Sequence, residues 1–236
     1  MICLVDERIS KKCERALLIR GYSIIKMKSY ERLGGAVCSH PDMLTFCHNG
    51  NVITSAEYCE IYPYIFSDIR ELSQNSRFIF TSDIPKKEYP YDAVFNALTA
   101  SEYIFYKEDT VSEAIKEYAR SCGLKEVPVK QGYPACTTLA FGKSAITADE
   151  GMAKALISVG INVTLISNGQ ISLPPYEYGF IGGACGVDKD TVYFLGNADL
   201  HRDYKKIRGA IDSEGYKLVS LSDEPLSDLG RIIFID

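Results

Sequence analysis

A chain of 236 residues, 46% hydrophobic and 24% charged, has the composition of an ordinary globular protein long enough to bury a sizeable core. Its net charge of −5 argues against a general nucleic-acid or anionic-membrane surface, which needs clustered Lys and Arg. No apolar run approaches the roughly 18 residues of a membrane span, and the amino-terminal MICLVDERISKKCERALL turns charged too soon for a signal peptide.

The eight cysteines include no CxxC pair, and most sit inside apolar segments. Reduced thiols in a cytoplasmic protein are the simplest expectation. One domain over residues 1–236 is expected.

Met1 to Val5 reads as a short strand, Arg8 to Arg20 as a helix, Gly21 as its stop, and Tyr22 to Met27 as a second strand. The unit then recurs with a hairpin in front. Asp42 to Cys47 and Val52 to Ser55 are predicted strands about a His48-Asn49-Gly50-Asn51 turn, followed by a helix over Tyr62 to Leu72 and a strand over Arg77 to Thr81. The third copy places strands at Asp92 to Asn96 and Tyr103 to Tyr106, a helix at Thr110 to Ser121, and a strand at Val127 to Val129.

The fourth copy is the clearest. Gly132-Tyr133-Pro134 is a turn, and Cys136 is expected on the strand that continues through Thr137 to Phe141. Ala145 to Thr147 returns, Asp149 to Ser158 is a helix with an acidic start, and Ile161 to Ile166 is a strand. The fifth copy has a glycine-rich strand from Gly179 to Val187 carrying Cys185, a strand at Thr191 to Leu195, a helix from about His201 to Ser213, and a strand at Tyr216 to Leu221. Helix stops recur at Gly123, Gly160 and Gly215, about 37 to 55 residues apart, which calls for a repeat array or ring. The first unit lacks the opening hairpin strand. Gly230 to Ile235 would supply it and close the ring, removing an exposed sheet edge.

Five β-β-α-β units closed by the C-terminal strand resemble the pentein fold of the guanidino-group-modifying enzymes, a five-bladed pseudo-symmetric α/β-propeller. That superfamily includes arginine deiminases, amidinotransferases, dimethylarginine hydrolases and a non-enzymatic ribosome anti-association factor of similar length. The stretches KQGYPACTT, AITADEGMAKAL, GFIGGACG, LGNADLHRD and LSDLGRIIF more closely resemble an uncharacterised bacterial family given the same fold. The resemblance covers nearly the whole chain, is strongest from Lys130 onward, and is weakest between Ser55 and Lys87.

The resemblance implies a cysteine thiolate that attacks a guanidinium carbon, a histidine that moves protons, and carboxylates that hold the cationic nitrogens. No cofactor is implied. Asp42, in His40-Pro41-Asp42, and Asp92, before an apolar segment, match acidic positions of the pattern. The histidine that opens the fourth repeat is replaced by Pro134-Ala135-Cys136. The nucleophile near the closing strand is replaced by Asp228-Leu229-Gly230-Arg231.

Cys136 is therefore the candidate nucleophile, displaced from the family position, with Lys130 or His40 to lower its pKa; the plain alternative is a small buried strand residue. Cys185 is the second choice, and Gly182 and Gly183 beside it allow either a ligand or another backbone to approach. His40 and Asp42 alternate as if on one strand face. Asp42, Asp92, Lys130, Thr137, Asp149 and Asp228 complete the candidate substrate-binding set, although capping explains Asp149 equally well and a turn role explains Asp228. Cys38, His40, Cys47 and His48 match no standard zinc spacing.

Two functions follow. One is a cysteine-dependent amidine or guanidine hydrolase or transferase with a rearranged site, acting on a small cationic ligand. The other is a non-catalytic ring that binds a small cation or a macromolecule.

Overall fold

The computed structural model describes residues 1–235. Five three-stranded sheets carry the chain, each with a helix between its second and third strands. In the first, β1 (Ile2–Asp6) pairs in parallel with β2 (Ser23–Met27) across α1 (Lys11–Ile19). Ser10 caps α1 by accepting from the Cys13 N–H, and Gly21 ends it with φ +86°.

The second unit begins with a one-turn helix, α2 (Pro41–Leu44), then the hairpin β3 (Thr45–His48) and β4 (Asn51–Ser55). Helices α3 (Ala56–Ile61) and α4 (Pro63–Leu72) lead to β5 (Arg77–Thr81). The third unit is β6 (Leu98–Ala100), β7 (Tyr103–Tyr106), α5 (Glu113–Ser121) and β8 (Lys125–Pro128). The fourth is α6 (Pro134–Thr137), β9 (Thr138–Phe141), β10 (Ser144–Thr147), α7 (Glu150–Ser158) and β11 (Asn162–Leu165). The fifth is β12 (Cys185–Asp188), β13 (Thr191–Phe194), a 3₁₀ turn over Ala198–Leu200, α8 (Tyr204–Ser213) and β14 (Lys217–Ser220). The last strand, β15 (Ile233–Ile235), pairs antiparallel with β1 in the register Ile2 with Ile235.

Each sheet orders its strands by burial. The middle strands β7, β10 and β13 are almost wholly buried, whereas the third strands β5, β8, β11 and β14 are half-exposed. The apolar core divides into five clusters, each built mainly from two neighbouring units, with Cys136 of the fourth unit also reaching the first cluster. Met27 and Tyr58 join the first to the second, Ile53 and Ile115 the second to the third, and Phe105 and Leu156 the third to the fourth. Ile146 and Ile207 join the fourth to the fifth, and Leu17 and Leu221 join the fifth back to the first. Among the described residues, no helix is long and apolar enough to cross a membrane.

The structure corrects the sequence reading where the chain enters each hairpin. Asp42 and Cys136 lie in one-turn helices, not on strands, because Pro41 and Pro134 occupy first-turn positions where a missing N–H costs nothing. Asp92 to Asn96 is a pair of turns, with Ala93 N–H donating to Pro90 and Asn96 N–H to Ala93, so strand begins only at Leu98. Gly179 to Ala184 is likewise not strand, and β12 starts at Cys185. The helix expected over Tyr62 to Leu72 is present as α4, with Pro63 at its first position, and α3 precedes it as a helix the sequence reading did not anticipate. Gly230 and Arg231, with φ +66° and +74°, keep the closing strand to its last three residues.

Gly230 is tightly constrained. Its φ is left-handed, and an added Cβ would overlap the Cβ of His40. Gly230→Ala is expected to cost on the order of 2–4 kcal/mol, read as a lower urea midpoint with little change in slope.

Candidate functional site

The entering turns of the units converge, and hydrogen bonds join them in a circuit. Asp42 N–H donates to the Gly230 carbonyl at 3.2 Å. The Asn96 side-chain amide donates to the Asp42 carbonyl at 3.4 Å and accepts from Ala135 N–H at 2.9 Å. Gly183 N–H donates to the Cys136 carbonyl at 2.9 Å. Leu229 and Arg231 N–H groups both donate to the Gly183 carbonyl, which returns the circuit to the closing turn.

Within this frame, Cys136 Sγ donates to Asp42 Oδ2 at 2.8 Å and accepts from Asn96 Nδ2 at 3.2 Å. Asp92 Oδ2 accepts from the Tyr133 hydroxyl at 2.5 Å, while its Oδ1 is buried without a protein partner. His40, 1% exposed, sits with Nε2 3.9 Å from Asp6 Oδ2 and Nδ1 4.0 Å from Asp228 Oδ1. Those separations exceed hydrogen-bond range, and among the described residues neither ring nitrogen has a hydrogen-bond partner. Asp228 accepts from Phe180 N–H at 2.9 Å and Gly230 N–H at 3.1 Å.

A cavity of about 420 Å³ opens on these groups. His40, Asp92, Cys136 and Asp228 line it together with Glu177, and its walls are largely aromatic, from Tyr89, Tyr133, Tyr176, Tyr178 and Phe180. Asp42 stands behind Cys136 and faces a separate cavity of about 150 Å³ shared with Arg231 and Cys47.

Other candidates are placed differently. Cys185 Sγ donates to the Ile181 carbonyl at 3.1 Å within the apolar cluster of Ile146 and Phe194. Thr137 Oγ1 donates to the Tyr133 carbonyl at 2.9 Å. Asp149 caps α7, accepting from Met152 N–H at 2.7 Å and from Gln131 Nε2 at 2.6 Å. Lys130 is exposed and faces a neighbouring groove. Gly182 and Gly183 serve close backbone packing: a Cβ on the first would overlap the Ala135 carbonyl, and one on the second the Asp228 carboxylate.

Asn96, Tyr133 and Glu177 are the residues that sequence reasoning missed. Asn96 carried one signal, a lone amide in the apolar run Val94-Phe95-Asn96-Ala97-Leu98. Tyr133 and Glu177 carried none beyond a turn and a loop.

Burial dominates the electrostatics. It pushes the Cys136 thiol well above its ordinary range, an effect reinforced by Asp42 and Asp228 and opposed by the Asn96 amide. It raises Asp42 and Asp92, and lifts Asp228 to about 7 against the pull of two backbone N–H groups. It lowers His40 to about 3 despite the nearby Asp6 charge. At neutral pH the site therefore holds a neutral imidazole, a protonated thiol and a carboxyl near its midpoint. Such a set can grip a cation through Asp92 and Asp228, and can pass a proton from Cys136 to Asp42. Among the described residues, no group of three or more His, Cys, Asp or Glu side chains is arranged to hold a metal ion.

Five three-stranded sheets with these inter-unit turns define the pentein fold, and solved structures agree. A dimethylarginine dimethylaminohydrolase matches with a TM-score of 0.52 at 14% identity, covering 94% of this chain and 92% of that one. An amidinotransferase from Microseira wollei in the saxitoxin biosynthetic pathway matches with a TM-score of 0.53 at 11% identity, covering 94% and 88%. A C. jejuni agmatine deiminase matches with a TM-score of 0.53 at 7% identity, covering 94% and 76%. At such identities the likeness is one of fold. By sequence, the chain belongs to the Family of unknown function (DUF6873), whose model matches residues 4–233. Among curated proteins, none matches the sequence.

The pH dependence of stability tests the buried carboxyl. Asp228 binds a proton more tightly folded than unfolded, so its contribution is full below the unfolded value of about 4 and is lost as pH rises toward about 7. His40 acts oppositely, because its folded value near 3 lies below the unfolded one, so stability grows as pH rises toward about 6.5. Relative to the wild type, Asp228→Asn should gain thermal stability progressively between about pH 4 and 7. A constant offset across that range would show that Asp228 titrates normally.

Proposed function

We propose that the five sheets form a pseudo-symmetric ring whose axial cavity binds a small guanidino or amidino cation, with Cys136 and Asp42 as its reactive pair. One observation carries this reading: a single cavity gathers Asp92, Asp228, Glu177, His40 and Cys136 from turns that lie far apart in the chain. Carboxylates beside aromatic walls suit a flat, delocalised cation, which donates charge-assisted hydrogen bonds at its edge and lays its face on the rings. The fold relatives include a dimethylarginine dimethylaminohydrolase, an amidinotransferase and an agmatine deiminase, and a variant of the first is known as an adduct with S-methyl-L-thiocitrulline.

The chemistry open to the pair is addition of sulfur to the amidinium carbon. The Cys136 proton passes to Asp42 Oδ2 as the carbon–sulfur bond forms and the C=N pair moves onto nitrogen. The C–N bond to the amine then breaks as the amine takes up that one proton. This leaves an S-amidino group on Cys136 that water or an acceptor amine displaces, returning the thiol. A cation held beside the thiol favours this transfer, since it stabilises the sulfur anion that burial otherwise opposes. His40, neutral and without a hydrogen bond, is available to exchange a proton with the leaving group. A second reading, binding without turnover, draws on one specific observation, the raised thiol pKa of the resting site. Eight unpaired thiols suit either reading in a reducing, cytoplasmic setting.

Calorimetric titration with alkylguanidinium and amidinium salts tests the binding. Asp92→Asn should weaken it about tenfold or more, the effect expected from losing one charge-assisted hydrogen bond. Cys136→Ala should preserve binding and abolish turnover and any mass-shifted adduct. Turnover that survives Cys136→Ala removes the chemistry, tight binding with no turnover in the wild type selects the second reading, and no binding of any cation removes both.

A further inference from the structure

The cavity carries negative charge and no positive charge. Asp92, Asp228 and Glu177 line it, and among the described residues no Lys or Arg does. The neighbouring cations are engaged or directed elsewhere. Arg8 is bound to Asp6 at 2.6 Å, Arg231 faces the separate smaller cavity, and Lys130 faces the adjoining groove. His40 is held neutral by burial and supplies no charge.

The acidic lining is not the only sign of a ligand. His40 and Asp92 are both more than nine-tenths buried, both line the cavity, and both present polar atoms without protein partners. Asp92 Oδ1 lacks a donor, and the neutral His40 ring lacks one donor and one acceptor, which the edge of an N–H-rich cation and its attached groups can supply in part. The lining also includes Leu173, Tyr176 and Tyr178, and its most solvent-exposed aromatic rings are Tyr89 and Tyr176, each more than half-exposed. An alkyl chain extending outward from a buried cationic head would therefore lie on apolar and aromatic surface and end near Glu177, which is exposed.

We propose that this cavity takes cations without a carboxylate, alkylguanidines and their aminoalkyl derivatives, and discriminates against α-amino acids bearing the same head group. The inference rests on the cation-binding reading above. A ligand carboxylate at this end would meet Glu177 and, among the described residues, no lining cation, so a like-charge approach counts against it. A second ammonium at the same place would meet Glu177 instead.

Titration at pH 7 with agmatine, L-arginine and L-argininamide separates the cases. Argininamide keeps the arginine skeleton and removes only the carboxylate. Agmatine and argininamide should each bind about tenfold tighter than arginine, the scale of replacing one repulsive charge pair by an attractive or neutral one. The exposed Glu177→Lys variant should narrow the gap between agmatine and arginine by roughly threefold or more, by reversing the charge at the mouth. Arginine binding as tightly as agmatine would overturn the inference and leave the cation reading intact. If argininamide binds no better than arginine while agmatine does, bulk rather than charge is sensed, and the inference also falls. If none of the three binds and methylguanidinium also fails, the cation reading itself is lost.

Discussion

The Asn96 side chain holds the turns together. Every other link in the circuit of hydrogen bonds around the site is backbone to backbone, and such links follow from chain geometry alone. Asn96 bridges the third turn to its neighbours on both sides, donating to the Asp42 carbonyl and accepting from Ala135 N–H. The same amide donates to Cys136 Sγ. A single carboxamide thus fixes the spacing of the second, third and fourth turns and orients the thiol between them. An aspartate there would lose the donors, and an apolar residue would leave buried backbone groups unpaired, each costing about 1–3 kcal/mol.

The charges inside that frame are poorly compensated. Asp6 has Arg8, and their ion pair satisfies it. Asp42, Asp92 and Asp228 are also buried and have hydrogen bonds but, among the described residues, no charged ion-pair partner, since His40 beside Asp228 is held neutral. Ionised carboxylates in such positions carry a desolvation cost that protonation relieves, which is why their pKa values rise together. A cation entering the cavity would relieve the same cost without a proton. Under the proposed cation binding, affinity and the desolvation cost of the buried carboxylates are two aspects of one electrostatic arrangement, and such binding should stabilise the fold by mass action.

Much of the fold was legible because the helices α1, α5, α7 and α8 each end on a glycine and the strand pairs turn on short polar runs such as His48-Asn49-Gly50-Asn51. The entering turns were not. Pro41 and Pro134 precede apolar residues, and a single helical turn of four residues has no periodicity to distinguish it from a strand. Asp42, Asp92, Cys136, His40 and Asp228 were singled out through the family resemblance, which implies site residues at the entrance of each repeat; the structure brings four of them to one cavity and sets Asp42 behind Cys136. Lys130 and Asp149 were drawn in by proximity along the chain, and the structure turns one outward and makes the other a helix cap. Glu177 lies in the long segment between β11 and β12, where no sequence pattern marks which side chain returns to the cavity.

The burial of Cys136 bears on the redox durability of the protein. Oxidants and electrophiles react with thiolate, and a thiol that burial and two neighbouring carboxylates keep protonated offers little of it. Cys122, exposed at the end of α5, is far more accessible to solvent. Peroxide or an alkylating reagent would therefore mark the outside of the molecule first. The sulfur at the centre would persist in its reduced form.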